Sequence, residues 1–248
     1  PPGFIGDDTF SYQVCLKSQP TVCGSNTVTV SVNPPAPDQL IAIPPGQTGV
    51  GGGFWDPTQN GIAPPGLEWG VFDPKDPSAG AVPSVPTVNG GTVTVNTSTG
   101  TFQYTPPPGF DGFDEFDYQV CLVDGSNRWC NTGTVQIVVP PVVPLPPSGN
   151  TVTGSLPQPD PANPTLEYHV PGVTPGTGGV TTGPTPNGSV TVTPGGDYTY
   201  TPTPGFSGED VVTLESCTTA TPPQCVTVQL PVRVPPVARR GRWCAPTA

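Results

Sequence analysis

The sequence predicts an all-β protein, a string of small β-sandwich domains joined by proline-rich linkers. Three observations carry this. A phrase recurs three times: PPGFIGDDTFSYQVC at the start, PPPGFDGFDEFDYQVC in the middle and TPTPGFSGEDVVTLESC near the end. Superposing the copies pairs Gly3 with Gly109 and Gly205, Phe4 with Phe110 and Phe206, Asp8 with Asp114 and Asp210, and Cys15 with Cys121 and Cys217. The copies stand roughly a hundred residues apart, too far for a solenoid unit and about right for one small β domain. Second, β-branched and aromatic residues alternate in short runs, the period-two grammar of strands. Third, 40 Pro and 32 Gly among 248 residues separate those runs, and both residues break helices while suiting turns and sheet edges. Disordered chains share such a composition but lack alternating runs at fixed places. No amphipathic helix is predicted.

The opening segment, residues 1–35, holds only a corner, one strand, a cystine loop and a last strand with Val28, Val30 and Val32. It is the second half of a domain, and two strands cannot bury a core alone. Two explanations stand. Preceding residues of the natural protein supply the front half, or a neighbouring subunit supplies strands, as in donor-strand fibres. The absence of Met reads as a processed or excised chain whose position 1 is not the start of the gene.

Residues 36–141 form the second domain. Its GTVTV and TFQYTP runs flank the NTSTG turn as a hairpin, with Val93, Val95, Phe102 and Tyr104 on one face. After the PPGFDG corner, Phe116, Tyr118 and Val120 point inward while Asp117, Gln119 and Cys121 face the other way, and Val135, Ile137 and Val139 complete the last strand. Residues 142–236 repeat this with Val190, Val192, Tyr198, Tyr200, Val212, Leu214, Val226, Val228, Leu230, Val232 and Val234. The front halves carry Leu40, Ile41, Phe54, Trp55, Trp69, Val71, Phe72, Leu156, Leu166 and Tyr168 among many turn residues. Residues 237–248 are a basic tail with Arg239, Arg240, Arg242 and an unpaired Cys244.

The cysteines place the chain. Cys15 with Cys23, Cys121 with Cys130 and Cys217 with Cys225 recur at matching positions, each pair spanning the mouth of one hairpin loop. Metal sites need CxxC-type spacing or several histidines, and His169 is the single one. Disulfides are the reading, and they persist in oxidising, extracellular surroundings. Cys244 is left as a candidate for an intermolecular bond. A net charge of −11 with 10% charged residues argues against nucleic acid as a partner, and no apolar run is long enough for a transmembrane segment.

The phrase G-x-(Y/F)-x-Y-T-P-x-x-G-F-x-G-x-D-x-F-x-Y-x-V, met best by residues 100–120, resembles the tandem Ig-like and cadherin-like repeats, VCBS-type repeats included, of large bacterial surface proteins. The resemblance covers the second half of each repeat. It implies tandem Ig-like β-sandwich domains at the cell surface, used as stalks, adhesin shafts or spacers, with calcium between domains in cadherin-like relatives. The hairpin disulfides, and Val212 with Leu214 in place of the aromatic pair, depart from that pattern.

Candidate sites are few. Asp111, Asp114, Glu115 and Asp117, with Asp7, Asp8, Asp73 and Asp76, are the carboxylates a calcium ion would draw on, since calcium takes six to eight oxygens. The recurring Asp8, Asp114 and Asp210 equally fit a structural role at a glycine-bounded corner. Trp55 and Trp69 with Phe54 and Phe72 either fill the core or form a platform for a sugar. Asn96 and Asn187 begin N-x-[ST] sequons. His169 reads as a surface histidine, and no constellation for catalysis is present, so the chain is not an enzyme. The expected function is an extracellular structural protein at the cell surface, a stalk or filament subunit that self-associates into a filament or surface layer, with inter-subunit strand complementation as its sharper form. The alternative is an adhesin or carbohydrate-binding module with a glycan or cell-surface partner.

Overall fold

A computed structural model describes residues 3–44, 47, 49–55, 62–73, 81–141, 143–144, 151–159 and 165–236. Asp76, Cys244 and the arginine tail lie outside the described residues. Two compact units divide the chain: residues 1–39, 49–106 and 115–135 form one, and residues 40–48, 107–114 and 136–248 the other.

All described elements but a short 3-10 turn are strands. In chain order they are β1 (Gly6–Leu16), β2 (Gln19–Val32), β3 (Gln39–Ala42), β4 (Val50–Gly53), β5 (Leu67–Val71), β6 (Ser84–Pro86), β7 (Thr92–Val95), β8 (Thr101–Thr105), β9 (Gly112–Asp124) and β10 (Asn127–Val139). The third repeat adds β11 (Val143–Pro144), β12 (Val152–Ser155), β13 (Leu166–His169), β14 (Thr181–Thr185), β15 (Gly188–Val192), β16 (Asp197–Pro202), β17 (Gly208–Thr218) and β18 (Cys225–Val234). No helix among the described residues is long and apolar enough to cross a membrane.

The sheets repeat one topology. The order β3-β10-β9-β5 in the second repeat is the order β11-β18-β17-β13 in the third, and β4-β8-β7-β6 corresponds to β12-β16-β15-β14. Each complete repeat is therefore a sandwich of two four-stranded sheets. Among the described residues the first repeat contributes β1 and β2, the counterparts of β9 and β10.

Alternation builds the cores. Phe116, Tyr118, Val120, Val135 and Ile137 are buried, as are Val93, Val95, Phe102 and Tyr104 on the facing sheet. Phe54 locks the two sheets together: its ring stacks on Tyr118 with centroids 4.1 Å apart and on Phe102 at 4.9 Å. Phe102 in turn meets Phe116 edge-on at 5.5 Å, a geometry that favours aromatic pairs. The third repeat buries Val190, Val192, Tyr198, Tyr200, Val212, Leu214, Val228, Leu230, Val232 and Val234 in one cluster, with Val226 partly buried against it. Val138 and Ile43 are also buried, although neither falls on a predicted inward position.

The G-F-x-G phrase is a backbone requirement. Its first glycine has φ of +79°, +72° and +84° in the three copies, and its second +126°, +141° and +138°, a region closed to side chains with a Cβ. The three disulfides join the expected pairs. Their setting differs from a stapled loop mouth in the first two copies, where the strands run past the cysteines: β1 continues to Leu16 and β2 begins at Gln19. Short turns there let the ladder extend beyond the staple, whereas the third copy has a true loop between Thr218 and Cys225.

The linker VNPPAPD leans on the second repeat. Asn131 donates to the carbonyl of Pro34 at 3.2 Å, the Tyr118 hydroxyl to that of Pro37 at 2.8 Å, and the Thr134 backbone N–H to the Asp38 carboxylate at 2.9 Å. Gly133 permits this, because a Cβ there would stand 2.6 Å from the Ala36 carbonyl oxygen.

Candidate functional site

The most unusual surface is one face of the β1–β2 hairpin. The ladder sets Phe10 opposite Val28, Asp8 opposite Val30 and Val14 opposite Gly24, so these residues share one face with Tyr12. Phe10 is 56% exposed, Tyr12 43% and Val14 65%. Their counterparts Phe116, Tyr118 and Val120 are 2% exposed or less. In a complete repeat the edges of the equivalent pair are taken too, by β3 on β10 and β5 on β9. Among the described residues nothing pairs with the outer edges of the hairpin or covers this apolar face, and an unpaired edge is a template for strand pairing.

The corner aspartate marks what such a face is built to meet. In the third repeat Asp210 is 3% exposed. It accepts from the Thr185 hydroxyl at 2.7 Å, the Tyr200 hydroxyl at 2.8 Å, the Val211 N–H at 2.9 Å and the Asn187 N–H at 3.1 Å. Burial pushes its carboxyl up, and these hydrogen bonds outweigh burial and hold it below the usual carboxylate range. Thr185 and Asn187 come from a P-T-x-N-G turn and Tyr200 from a Y-T-P strand end. The second repeat carries the same stations as Thr87, Asn89 and Tyr104 ahead of Asp114, which is fully buried. Asp8 stands exposed, accepting from the Thr9 N–H at 2.8 Å, and residues 1–35 contain no P-T-x-N-G or Y-T-P. Sequence reading found the aspartates but not their partners, although the recurrence of P-T-x-N-G was there to be seen.

Beside Asp8, Asp7 points elsewhere. Its carboxylate accepts from the Ser31 hydroxyl at 2.6 Å and the Trp129 indole N–H at 2.8 Å, and these bonds hold its pKa below the ordinary value. Trp129 had no part in the sequence expectations.

The remaining candidates are placed as follows. Trp69 is 6% exposed and packed in the core, its ring against Gly100, and Phe54 is 1% exposed; Trp55 is half-buried. Neither Trp69 nor Phe54 offers a ring face to a sugar. Glu115 and Asp117 line a pocket of about 500 Å³ together with Asp38 and Asp73, and Asp117 is held by the Thr134 hydroxyl at 2.7 Å. Asp111 is exposed and Asp114 buried. Among the described residues these carboxylates form no group of three with oxygens within 4.8 Å of one another. Asn96 caps its own turn, accepting from the backbone N–H groups of Ser98 and Thr99, while Asn187 belongs to the Asp210 corner.

Repeated two-sheet sandwiches with a buried corner aspartate define a tandem Ig-like repeat protein. The chain belongs to the bacterial Ig domain family, whose model matches residues 69–138 and again 145–229. No curated protein matches it in sequence. Among solved structures it is similar to a protocadherin GammaB4 extracellular domain (13% identity, 86% of this chain, 37% of that one, TM-score 0.27). It is also similar to mouse cadherin-23 repeats EC22-24 (16% identity, 86% of this chain, 69% of that one, TM-score 0.26). Drosophila N-cadherin EC1-4 is a further one (12% identity, 79% of this chain, 48% of that one, TM-score 0.25). The chain spans from 37% to 60% of the length of the first three structures it matches.

Proposed function

We propose that the chain is part of an extracellular structural protein, a stalk or filament subunit of the cell surface. Residues 1–35 are an incomplete Ig-like domain, residues 36–141 and 142–236 complete ones, and the β1–β2 face is covered either by residues that precede Pro1 in the natural protein or, in the sharper form of the reading, by a neighbouring subunit. The observation that carries this is the exposed row Phe10, Tyr12 and Val14, which repeats a pattern buried in the second repeat. Covering such side chains contributes at most about 1.5–3 kcal/mol each, which offsets part of the cost of association. A complementary sheet bearing T-x-N and Tyr stations would also give Asp8 the partners that Asp210 has. Three disulfides in one chain support an oxidising location. The mechanical role calls on no cofactor and no catalysis.

Sedimentation of the full chain over a range of concentrations tests the reading. Concentration-dependent oligomers are expected, and Tyr12→Asp abolishes them. A chain that stays monomeric throughout overturns subunit complementation and leaves the spacer role.

A further inference from the structure

The third disulfide differs from the second in what surrounds it. Cys217 is buried at 7% exposure, whereas Cys225 is exposed. His169 on β13 lies in register with Glu215 on β17, two residues from Cys217 and on the same face of the sheet. Its Nε2 is 2.9 Å from the Glu215 carboxylate and 3.8 Å from Cys217 Sγ. Since Cys217 is bonded to Cys225, the trio of His169, Glu215 and Cys217 has no thiolate to offer a metal. What it has is a cation-forming ring beside one sulfur of a disulfide whose other sulfur lies on an exposed residue. At the corresponding places the second repeat has Gly70 and Gln119. Gly70 cannot become histidine freely, because a Cβ there would lie 2.8 Å from that of Ala81. A glutamate in register with the first cysteine is common to both copies, Glu167 with Cys217 and Glu68 with Cys121, so it does not distinguish them.

We propose that Cys217–Cys225 is a thiol-exchange site. The thiolate of a low-molecular-weight thiol or a protein cysteine attacks Cys225 Sγ and forms a mixed disulfide there. The Cys217–Cys225 bond breaks, its electron pair goes to Cys217 Sγ, and that sulfur takes the Nε2 proton that the imidazolium of His169 shares with the Glu215 carboxylate, leaving a neutral ring protonated at Nδ1. The direction of attack follows from exposure, and the leaving sulfur is the one with a proton donor, which speeds exchange because a better-stabilised leaving thiolate departs faster.

The test uses the full chain with reduced glutathione under native conditions, alkylation of freed thiols, and mass spectrometry resolving each cysteine pair. Cys217–Cys225 should open about five- to tenfold faster than Cys121–Cys130, with glutathione attached to Cys225. His169→Gln should bring the two rates within about twofold of one another, and His169→Lys, which keeps a proton donor, should retain most of the difference. The Cys121–Cys130 pair in the same sample reports unfolding, so a variant that merely unfolds accelerates both. Equal rates in the parent chain, glutathione attached to Cys217, or an unchanged rate in His169→Gln would each overturn the proposal.

Discussion

The β1–β2 hairpin and the β9–β10 pair are nearly the same words in two settings. Both form an antiparallel ladder tied by a cystine, and both alternate Phe, Tyr and Val on one face. In one setting those side chains are buried to 2% exposure or less and in the other they stand at 43% or more. The ladder and staple are thus local properties of the phrase, while its core is a property of what is placed opposite. A repeat whose second half forms its own ladder and staple still needs something opposite it to make a core.

The widest separation between the two settings is expected for the first aromatic. Phe116→Ala should destabilise the second repeat by about 3–5 kcal/mol, measured by urea unfolding, while Phe10→Ala leaves the unassembled chain within about 0.5 kcal/mol. A large loss from Phe10→Ala would mean that its face is covered after all. The corner aspartates come next. Asp210→Ala should cost about 1–3 kcal/mol by stranding the Thr185 and Tyr200 hydroxyls, and Asp8→Ala should cost nothing detectable. The folded carboxyl of Asp210 sits below the unfolded value of about 3.9. Its stabilisation is therefore full above that value and lost as pH falls through the lower, folded one. Asp210→Asn should flatten the stability profile in that acid range. The smallest effect sharpens the comparison from a third copy. Ser216 is fully buried, at the position held by Val14 and Val120. Ser216→Val should raise the unfolding midpoint by an amount equivalent to about 1 kcal/mol.

Much of the fold was legible because side chains on a strand alternate with a period of two. Val93 and Val95, Phe116 and Tyr118, or Leu230 and Val232 need only their neighbours to declare an inward face. Val138 escaped that rule because its strand is buried on both faces at its end. The candidate site was half legible. The aspartates and the uncovered opening segment showed in the repeats, but the bond from Trp129 to Asp7 spans 122 residues and that from Thr185 to Asp210 spans 25. Alternation carries no information about pairs so far apart. Pattern alone left Trp69 open between core and platform; it is 6% exposed, as suits a ring that is the readiest filler for a small sandwich.

The polar ties between the linker and the second repeat bear on how tension would travel. A pull applied near Pro34 meets hydrogen bonds to Asn131, Tyr118 and Thr134 before it reaches the first strand of the repeat. Load is handed sideways into β10 and β9, the two strands that carry those partners. The proline segment then serves as a glued strap, and extension begins only after the strap peels.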